Sequence, residues 1–321
     1  MIRVGVEERI GPELLAGFHG DLQVVRIPED PGGGVEIDFW IVPMSAKTAR
    51  RQWPHLRGVR VVQCLSAGVD SVRGYLPPDV ILCDGRGVHD IPTAEWAVAA
   101  VLAMQKYLPL YCELQTREDW GGRRRAEQLY FLSHERAPGC EAPLLVDEVA
   151  DLTVLILGYG SIGAAVEARL APFGARFLRL AREAKPGVHA AAALDELLPQ
   201  ADIVVICAPL TSETRHMLNA ARLARMKRGA LLVNAGRGPV VETDALVRAL
   251  EEGSIRAALD VTDPEPLPPG HPLWKAPNLL LTPHVAGGSA KFLGRALKLA
   301  AEQARRLGCG ESLRNVVSGE Y

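Results

Sequence analysis

The segment D151-LTVLILGYGSIGAAVEARLAPFG174 constrains the fold more than any other stretch of the chain. A run of Leu, Ile and Val leads straight into Gly158-Tyr-Gly160-Ser161-Ile162-Gly163, and a helical pattern follows at once. Strand, glycine turn and helix in that order mark a βαβ unit that holds a dinucleotide. The three glycines serve different purposes. Gly158 permits the tight turn, Gly160 lets a pyrophosphate approach the backbone, and Gly163 lets helix and strand pack closely. The helix N-terminus adds unpaired N–H donors and a partial positive charge. Gly158, Gly160, Ser161, Ile162 and Gly163 are therefore the cofactor-binding candidates. The competing interpretation is a glycine-rich turn without a ligand.

The segment opens an α/β series with strands expected near 153–157, 177–181, 202–207, 230–234, 256–261 and 278–282, which predicts a doubly wound parallel sheet. Up to about residue 90, short apolar runs (IRVGV, LQVVRI, DFWIV, VRVVQCL, VILCDG) predict a second, smaller α/β domain. Two domains suit 321 residues and 34.6 kDa, a size at which single cores usually stop growing. From Pro92, TAEWAVAAVLAMQKYLPLYCELQ predicts a buried linking helix with Thr93 as its N-cap and a bend near Pro109. A matching alanine- and leucine-rich helix over about 289–307 returns the chain to the first domain. The expected organisation is a discontinuous domain of 1–95 with 289–321 and a dinucleotide-binding domain of 96–288. Between 120 and 149 the pattern is weak, and the Arg123–Arg125 cluster predicts a solvated loop.

Composition narrows the partners. A formal net charge of -2 offers no field for nucleic acid or anionic lipid. No apolar run is long enough to span a bilayer, so neither nucleic acid nor membrane is expected as a partner. MIRVGVEERI has no basic start or cleavage motif of a signal peptide. The six cysteines are scattered with no C-x-x-C pair, which favours reduced core residues and a cytoplasmic location. Histidines such as His55, His89 and His134 are dispersed, so no metal site is expected.

At the end of the second strand of the series an acidic residue would bond the ribose hydroxyls of NAD. Ala181-Arg182 stands there instead, and a guanidinium suits a 2'-phosphate, so NADP(H) is favoured over NAD(H). Glu183 keeps NAD open.

Three polar residues fall at the ends of later strands: Arg237 in VNAGRGPVVE, Glu265 in DVTDPEPLP and His284 in LLLTPH. Taken singly, a histidine after an apolar strand is more often structural and a glutamate among prolines is usually loop surface. Together they supply an anion clamp, a proton donor and a carboxylate that tunes the donor, which is what hydride transfer to a 2-oxo acid needs. Arg237, an always-charged group between two conformationally permissive glycines, would grip the substrate carboxylate and polarise its carbonyl. His284 would protonate the carbonyl oxygen, and Glu265 would fix the imidazole tautomer and favour its protonated form.

Seven motifs, CLSAGVD (64–70), TAEWAV (93–98), GYGSIG (158–163), CAPLTSETRHMLN (207–219), VNAGRGPVVE (233–242), ALDVTDPEPLP (258–268) and LTPHVAGG (281–288), occur in the order found in the D-isomer-specific 2-hydroxyacid dehydrogenases, which the chain resembles over nearly its whole length. The resemblance implies two Rossmann-like or flavodoxin-like domains, a discontinuous substrate domain, and a homodimer formed through the cofactor domain. It implies that Arg237, Glu265 and His284 are catalytic, that the backbone of Ser66, Ala67 and Gly68 binds the substrate carboxylate, that Asp260 meets the nicotinamide carboxamide, and that Ala208, Pro209 and Ala235 line the cofactor cleft. Glyoxylate and hydroxypyruvate are the implied substrates, since the Ala181-Arg182 ending is similar to that of NADP-using reductases of those acids. Phosphite-oxidising relatives carry a lysine at the position of Ala67, and formate dehydrogenases lack a glutamate at that of Glu265. The alternative is a nucleotide-sensing, corepressor-like interaction protein, which would keep the same trio. Trp274 and Met44 read as core or loop packing.

Overall fold

The computed structural model describes residues 1–131 and 146–319. The chain divides into two compact units, Met1–Asp90 with Gly288–Tyr321, and Ile91–Gly287. Both carry the parallel α/β architecture that the alternation of apolar runs and helical patterns predicts.

The first unit contains β1 (Ile2–Glu7), β2 (Leu22–Ile27), β3 (Val35–Glu36), β4 (Phe39–Ile41), β5 (Leu56–Arg57), β6 (Val61–Gln63) and β7 (Ile81–Cys83). Five of them form a parallel sheet in the order β2-β1-β4-β6-β7, while β3 and β5 pair separately. Numbered by position in that sheet, the order is the 2-1-3-4-5 of flavodoxin-like folds. Alternate residues feed two cores, because successive side chains of a strand point to opposite faces. Phe39 and Ile41 pack with Val4 and Val61 on one face, Trp40 and Val42 with Val62 on the other. The helix Phe292–Cys309 lays Ala296, Ala300 and Ala304, four residues apart, against the first of these faces.

The second unit contains β8 (Thr153–Leu157), β9 (Arg176–Ala181), β10 (His189–Ala190), β11 (Ile203–Ile206), β12 (Leu231–Asn234), β13 (Arg256–Leu259) and β14 (Leu279–Leu281). All seven are parallel, in the order β10-β9-β8-β11-β12-β13-β14. That is the Rossmann arrangement, with the strand order reversing between β8 and β11. Val154 and Ile156 face one core and Leu155 and Leu157 the other, which explains the uninterrupted apolar runs. The seventh strand, β10, goes beyond the six that the sequence predicts: it is two residues long, His-Ala, at the sheet edge, and carries no apolar alternation.

The linking segment differs from expectation in two ways. The helix begins at Asp90, so Thr93 is a buried residue within it and not its cap. It also ends at Gln105, and a second helix, Leu108–Thr116, follows. Between them Tyr107 adopts φ 52, and Pro109 occupies the first turn of the new helix, where its missing N–H costs nothing. The chain therefore breaks before the proline instead of bending at it. Ala94, Ala97, Val101 and Met104 seat the first helix on the seven-stranded sheet. The expected arginine loop is a 3-10 turn, Gly121–Arg123, leading into a helix, Arg124–Tyr130, with Arg123 over the Trp120 ring and Arg125 bonded to Glu113. His134 and most of the remainder of the 120–149 stretch lie outside the described residues.

Candidate active site

The seven-stranded sheet brings the candidate residues to the carboxyl ends of its strands, where ligands of doubly wound folds bind. Along that edge, Arg182 follows β9, the glycine turn follows β8, Cys207-Ala208-Pro209 follows β11, Ala235 to Arg237 follows β12, Asp260 to Glu265 follows β13, and His284 follows β14.

The glycine turn is built as its motif demands. Gly158 has φ +88, and a Cβ on it would lie 2.5 Å from the Ala208 nitrogen, so the turn is pressed against the end of β11. Its N–H and that of Tyr159 both donate to the Leu180 carbonyl at 2.9 Å, tying the turn to β9 as well. A Cβ on Gly163 would meet the Gly158 oxygen at 2.9 Å and the Ile156 side chain at 3.0 Å, which is the close packing of helix on strand. Gly160 is different: no heavy atom lies within 4 Å of a Cβ built there. Open space in front of this one backbone position, at the start of the helix Ser161–Leu170, fits a dinucleotide pyrophosphate. Across the turn, the Thr214 hydroxyl accepts from the Thr211 N–H at 2.7 Å and donates to the Pro209 carbonyl at 2.7 Å, fixing the Ala208-Pro209 loop. Arg182 is exposed immediately after β9.

Arg237 extends from a turn that is held on every side. Neither neighbouring glycine has a positive φ, so conformational permissiveness, the reason anticipated for them, is not why they are there. A Cβ on Gly236 would lie 2.7 Å from the Ala208 oxygen, and one on Gly238 would lie 1.9 Å from the Thr262 oxygen. The glycines let this turn squeeze between the ends of β11 and β13. Beneath it, buried Asn234 accepts from the Gly236 N–H and donates to the Arg237 carbonyl, both at 3.0 Å.

His284 and Glu265, contributed by adjacent strand ends, meet directly: Nδ1 of the histidine lies 2.5 Å from Oε1 of the glutamate. The side chains are 49% and 41% exposed, so solvent reaches the pair and Nε2 is the nitrogen left to face a ligand. The His284 backbone sits at φ 53, a left-handed conformation that a non-glycine residue keeps only when its surroundings fix it. Asp260 does the fixing. Only 2% exposed, its carboxylate accepts from the Thr282 hydroxyl at 2.6 Å and from the Val285 and Ala286 N–H groups at 2.8 Å, while its carbonyl accepts from the His284 N–H at 2.7 Å. The sequence marks Asp260 only as a cofactor contact by resemblance; its hold on the histidine loop is visible only in the fold.

The trio therefore belongs to one unit and to three neighbouring strands. Ser66, Ala67 and Gly68 belong to the other unit, where the Gly85 N–H donates to the Ser66 carbonyl at 2.7 Å and a Cβ on Gly85 would lie 2.5 Å from the Leu65 oxygen. Gly85, unmarked by any motif, thus supports that loop. Trp274 is half exposed, and its indole N–H donates to Pro268 at 2.9 Å, bracing the loop that carries Glu265; Met44 is exposed after β4. Among the described residues no group of three or more His, Cys, Asp or Glu is placed to hold a metal, and no helix is long and apolar enough to cross a membrane.

Comparison with known proteins identifies the family. Residues 101–286 match the family model described as D-isomer specific 2-hydroxyacid dehydrogenase, NAD binding domain. A glyoxylate reductase of Thermofilum pendens is 42% identical over 258 residues, covering 76% of this chain and 70% of that protein. The crystal structure of an NADPH-dependent glyoxylate/hydroxypyruvate reductase from Sinorhizobium meliloti, in complex with NADP and sulfate, superposes with a TM-score of 0.80 at 28% identity, covering 99% of this chain and 98% of the other. A D-isomer specific 2-hydroxyacid dehydrogenase from Xanthobacter autotrophicus, in complex with NADPH and MES, gives a TM-score of 0.76 at 31% identity and 99% coverage of both chains. With the dinucleotide turn, the strand-end trio and these matches together, the chain belongs to the D-isomer-specific 2-hydroxyacid dehydrogenase family and is an NAD(P)-dependent enzyme of that class.

Proposed function

We propose that this enzyme reduces a small 2-oxo acid, glyoxylate or hydroxypyruvate, to the D-2-hydroxy acid, with NADP(H) in preference to NAD(H). The observation that carries the chemistry is the 2.5 Å contact of His284 Nδ1 with Glu265, one strand along from the Arg237 turn. The choice of acid follows the glyoxylate reductase of Thermofilum pendens and the glyoxylate/hydroxypyruvate reductase of Sinorhizobium meliloti. The choice of coenzyme follows exposed Arg182 at the end of β9, where an acidic residue would serve NAD, and the NADP and NADPH named in the two structures above.

Gly158, Gly160, Ser161, Ile162 and Gly163 hold the pyrophosphate in this reading, Arg182 the 2'-phosphate, and Ala208, Pro209, Ala235 and Asp260 the remainder of the coenzyme. When bound, the nicotinamide supplies the hydride in reduction and accepts it in oxidation. Arg237 binds the substrate carboxylate through two parallel N–H bonds and withdraws charge from the keto oxygen. Ser66, Ala67 and Gly68 offer backbone donors suited to a substrate carboxylate. His284 delivers a proton from Nε2 to the keto oxygen during reduction and removes it in the reverse direction. Glu265 keeps the ring from turning and supplies counter-charge while the ring is protonated. The units Met1–Asp90 with Gly288–Tyr321, and Ile91–Gly287, serve as substrate and coenzyme domains. A cytoplasmic homodimer completes the proposal, supported by the scattered cysteines and by the family resemblance respectively.

The test is turnover of purified protein with NADPH and with NADH against a panel of 2-oxo acids, followed by loss of reduced-coenzyme absorbance. Highest kcat/KM is expected for glyoxylate or hydroxypyruvate with NADPH. Absence of turnover with every acid would overturn the proposal, and preference for NADH would overturn the part assigned to Arg182.

A further inference from the structure

Arg237 can grip a carboxylate only if the short turn that carries it is held still, and the structure shows what holds it. On two sides the turn meets backbone: Gly236 against Ala208 and Gly238 against Thr262, each too close to admit a Cβ. On the third side lies the carboxamide of Asn234, the last residue of β12 and 1% exposed. It spans the turn, with Oδ1 accepting from the Gly236 N–H and Nδ2 donating to the Arg237 carbonyl, each at 3.0 Å. The Asn234 carbonyl in turn accepts from the Asp260 N–H at 3.0 Å, so the residue that supports the arginine turn is hydrogen-bonded to the one that supports the histidine loop. Asparagine can do this because it carries a donor and an acceptor on one planar group. Serine has a single oxygen, aspartate has no donor when ionised, and glutamine places its amide one methylene too far.

We infer that Asn234 is a positioning residue for substrate recognition: it acts through the Gly236–Arg237 backbone to aim the guanidinium, and touches neither substrate nor coenzyme. The inference rests on the role proposed above for Arg237. A shift of about 1 Å in a group that orients a reactant is enough to cost on the order of a hundredfold in rate. Loss of the carboxamide bridge is therefore read in substrate handling before it is read in folding.

The test uses N234D, which keeps the shape and the acceptor but replaces the donor facing the Arg237 carbonyl, and N234S as a smaller second variant that avoids a buried charge. For each variant and for wild type the measurements are KM and kcat with glyoxylate at saturating NADPH, Kd for NADPH and the active fraction by fluorescence titration, the melting temperature, and amide hydrogen exchange of the peptide covering residues 233–241. Expected are a KM for glyoxylate raised tenfold or more, a Kd for NADPH within twofold of wild type, and faster exchange in that peptide. A general structural role would instead lower the melting temperature and the active fraction with KM unchanged, and that pattern overturns the inference. Unchanged exchange in both variants also overturns it, whether or not wild type turns over a 2-oxo acid. Wild-type inactivity with every acid tested is the separate result that removes the proposed function, and faster exchange in the variants would then leave the support of the Arg237 turn by Asn234 standing.

Discussion

Replacing Gly158 and Gly160 by alanine, one at a time, separates the two demands that a dinucleotide turn makes on its glycines. At Gly158 the penalty is conformational and steric. An L-residue at φ +88 costs about 1–2 kcal/mol, and a methyl 2.5 Å from the Ala208 nitrogen and 2.6 Å from its Cα forces backbone apart, an overpacking worth about 1–3 kcal/mol. G158A should therefore lose about 2–5 kcal/mol, which for a body of this size lowers the melting temperature by roughly 5–20 °C. At Gly160, φ is -101 and no heavy atom stands within 4 Å of the new methyl. Its stability should change by less than about 1 kcal/mol. The cost appears on binding, because the methyl keeps the pyrophosphate from the backbone, and each charge-assisted N–H bond lost is worth about 1.5–3 kcal/mol. The Kd of G160A for NADPH should rise roughly tenfold to a hundredfold. Thermal melting and fluorescence titration of the two variants decide the matter. A G160A protein that binds NADPH as wild type does, or that melts with G158A, would refute the assignment of that open space to the coenzyme.

The remaining expectations concern the trio and the coenzyme arginine. R237K should lower kcat/KM by about a hundredfold or more, because an ammonium cannot reproduce the planar fork, and wild-type kinetics would remove Arg237 from the site. E265Q should lower kcat of glyoxylate reduction by about tenfold or more with Kd for NADPH within twofold of wild type, because an amide in place of the carboxylate 2.5 Å from Nδ1 can still orient the ring but supplies no counter-charge to it. A wild-type kcat would exclude that role. R182Q should raise KM for NADPH about tenfold through loss of one charge-assisted contact while leaving KM for NADH within twofold. Equal effects on both coenzymes would contradict recognition of the 2'-phosphate.

The parallel architecture and the glycine turn were legible in the sequence because both rest on local patterns, uninterrupted apolar strands and a spacing that admits few alternatives. Helix ends were less so. Thr93 is a good cap by residue type, yet the apolar face that seats on the sheet extends the helix back to Asp90. β10 escaped because a two-residue edge strand of His and Ala has no periodicity to detect. The reason for the glycines around Arg237 was misjudged from the sequence, since the approach of Thr262 and Ala208 is a tertiary fact without a local signature. Asp260 and Asn234 were hidden in a similar way. A polar residue closing an apolar strand can be recognised as unusual, but the loops it supports are known only once the strands are paired.

The placement of Arg237, Glu265 and His284 on three consecutive strands of a single unit has a consequence for divergence within the family. With the roles proposed above for these three residues, proton and charge handling would be inherited as one block, stabilised by the same core that forms the sheet. Ser66, Ala67 and Gly68 ride on a separate body with its own core. Given the substrate role proposed for that segment, drift in the second body would change which acids are accepted while the proposed proton-handling block stays intact, so new specificities would be reached without rebuilding it.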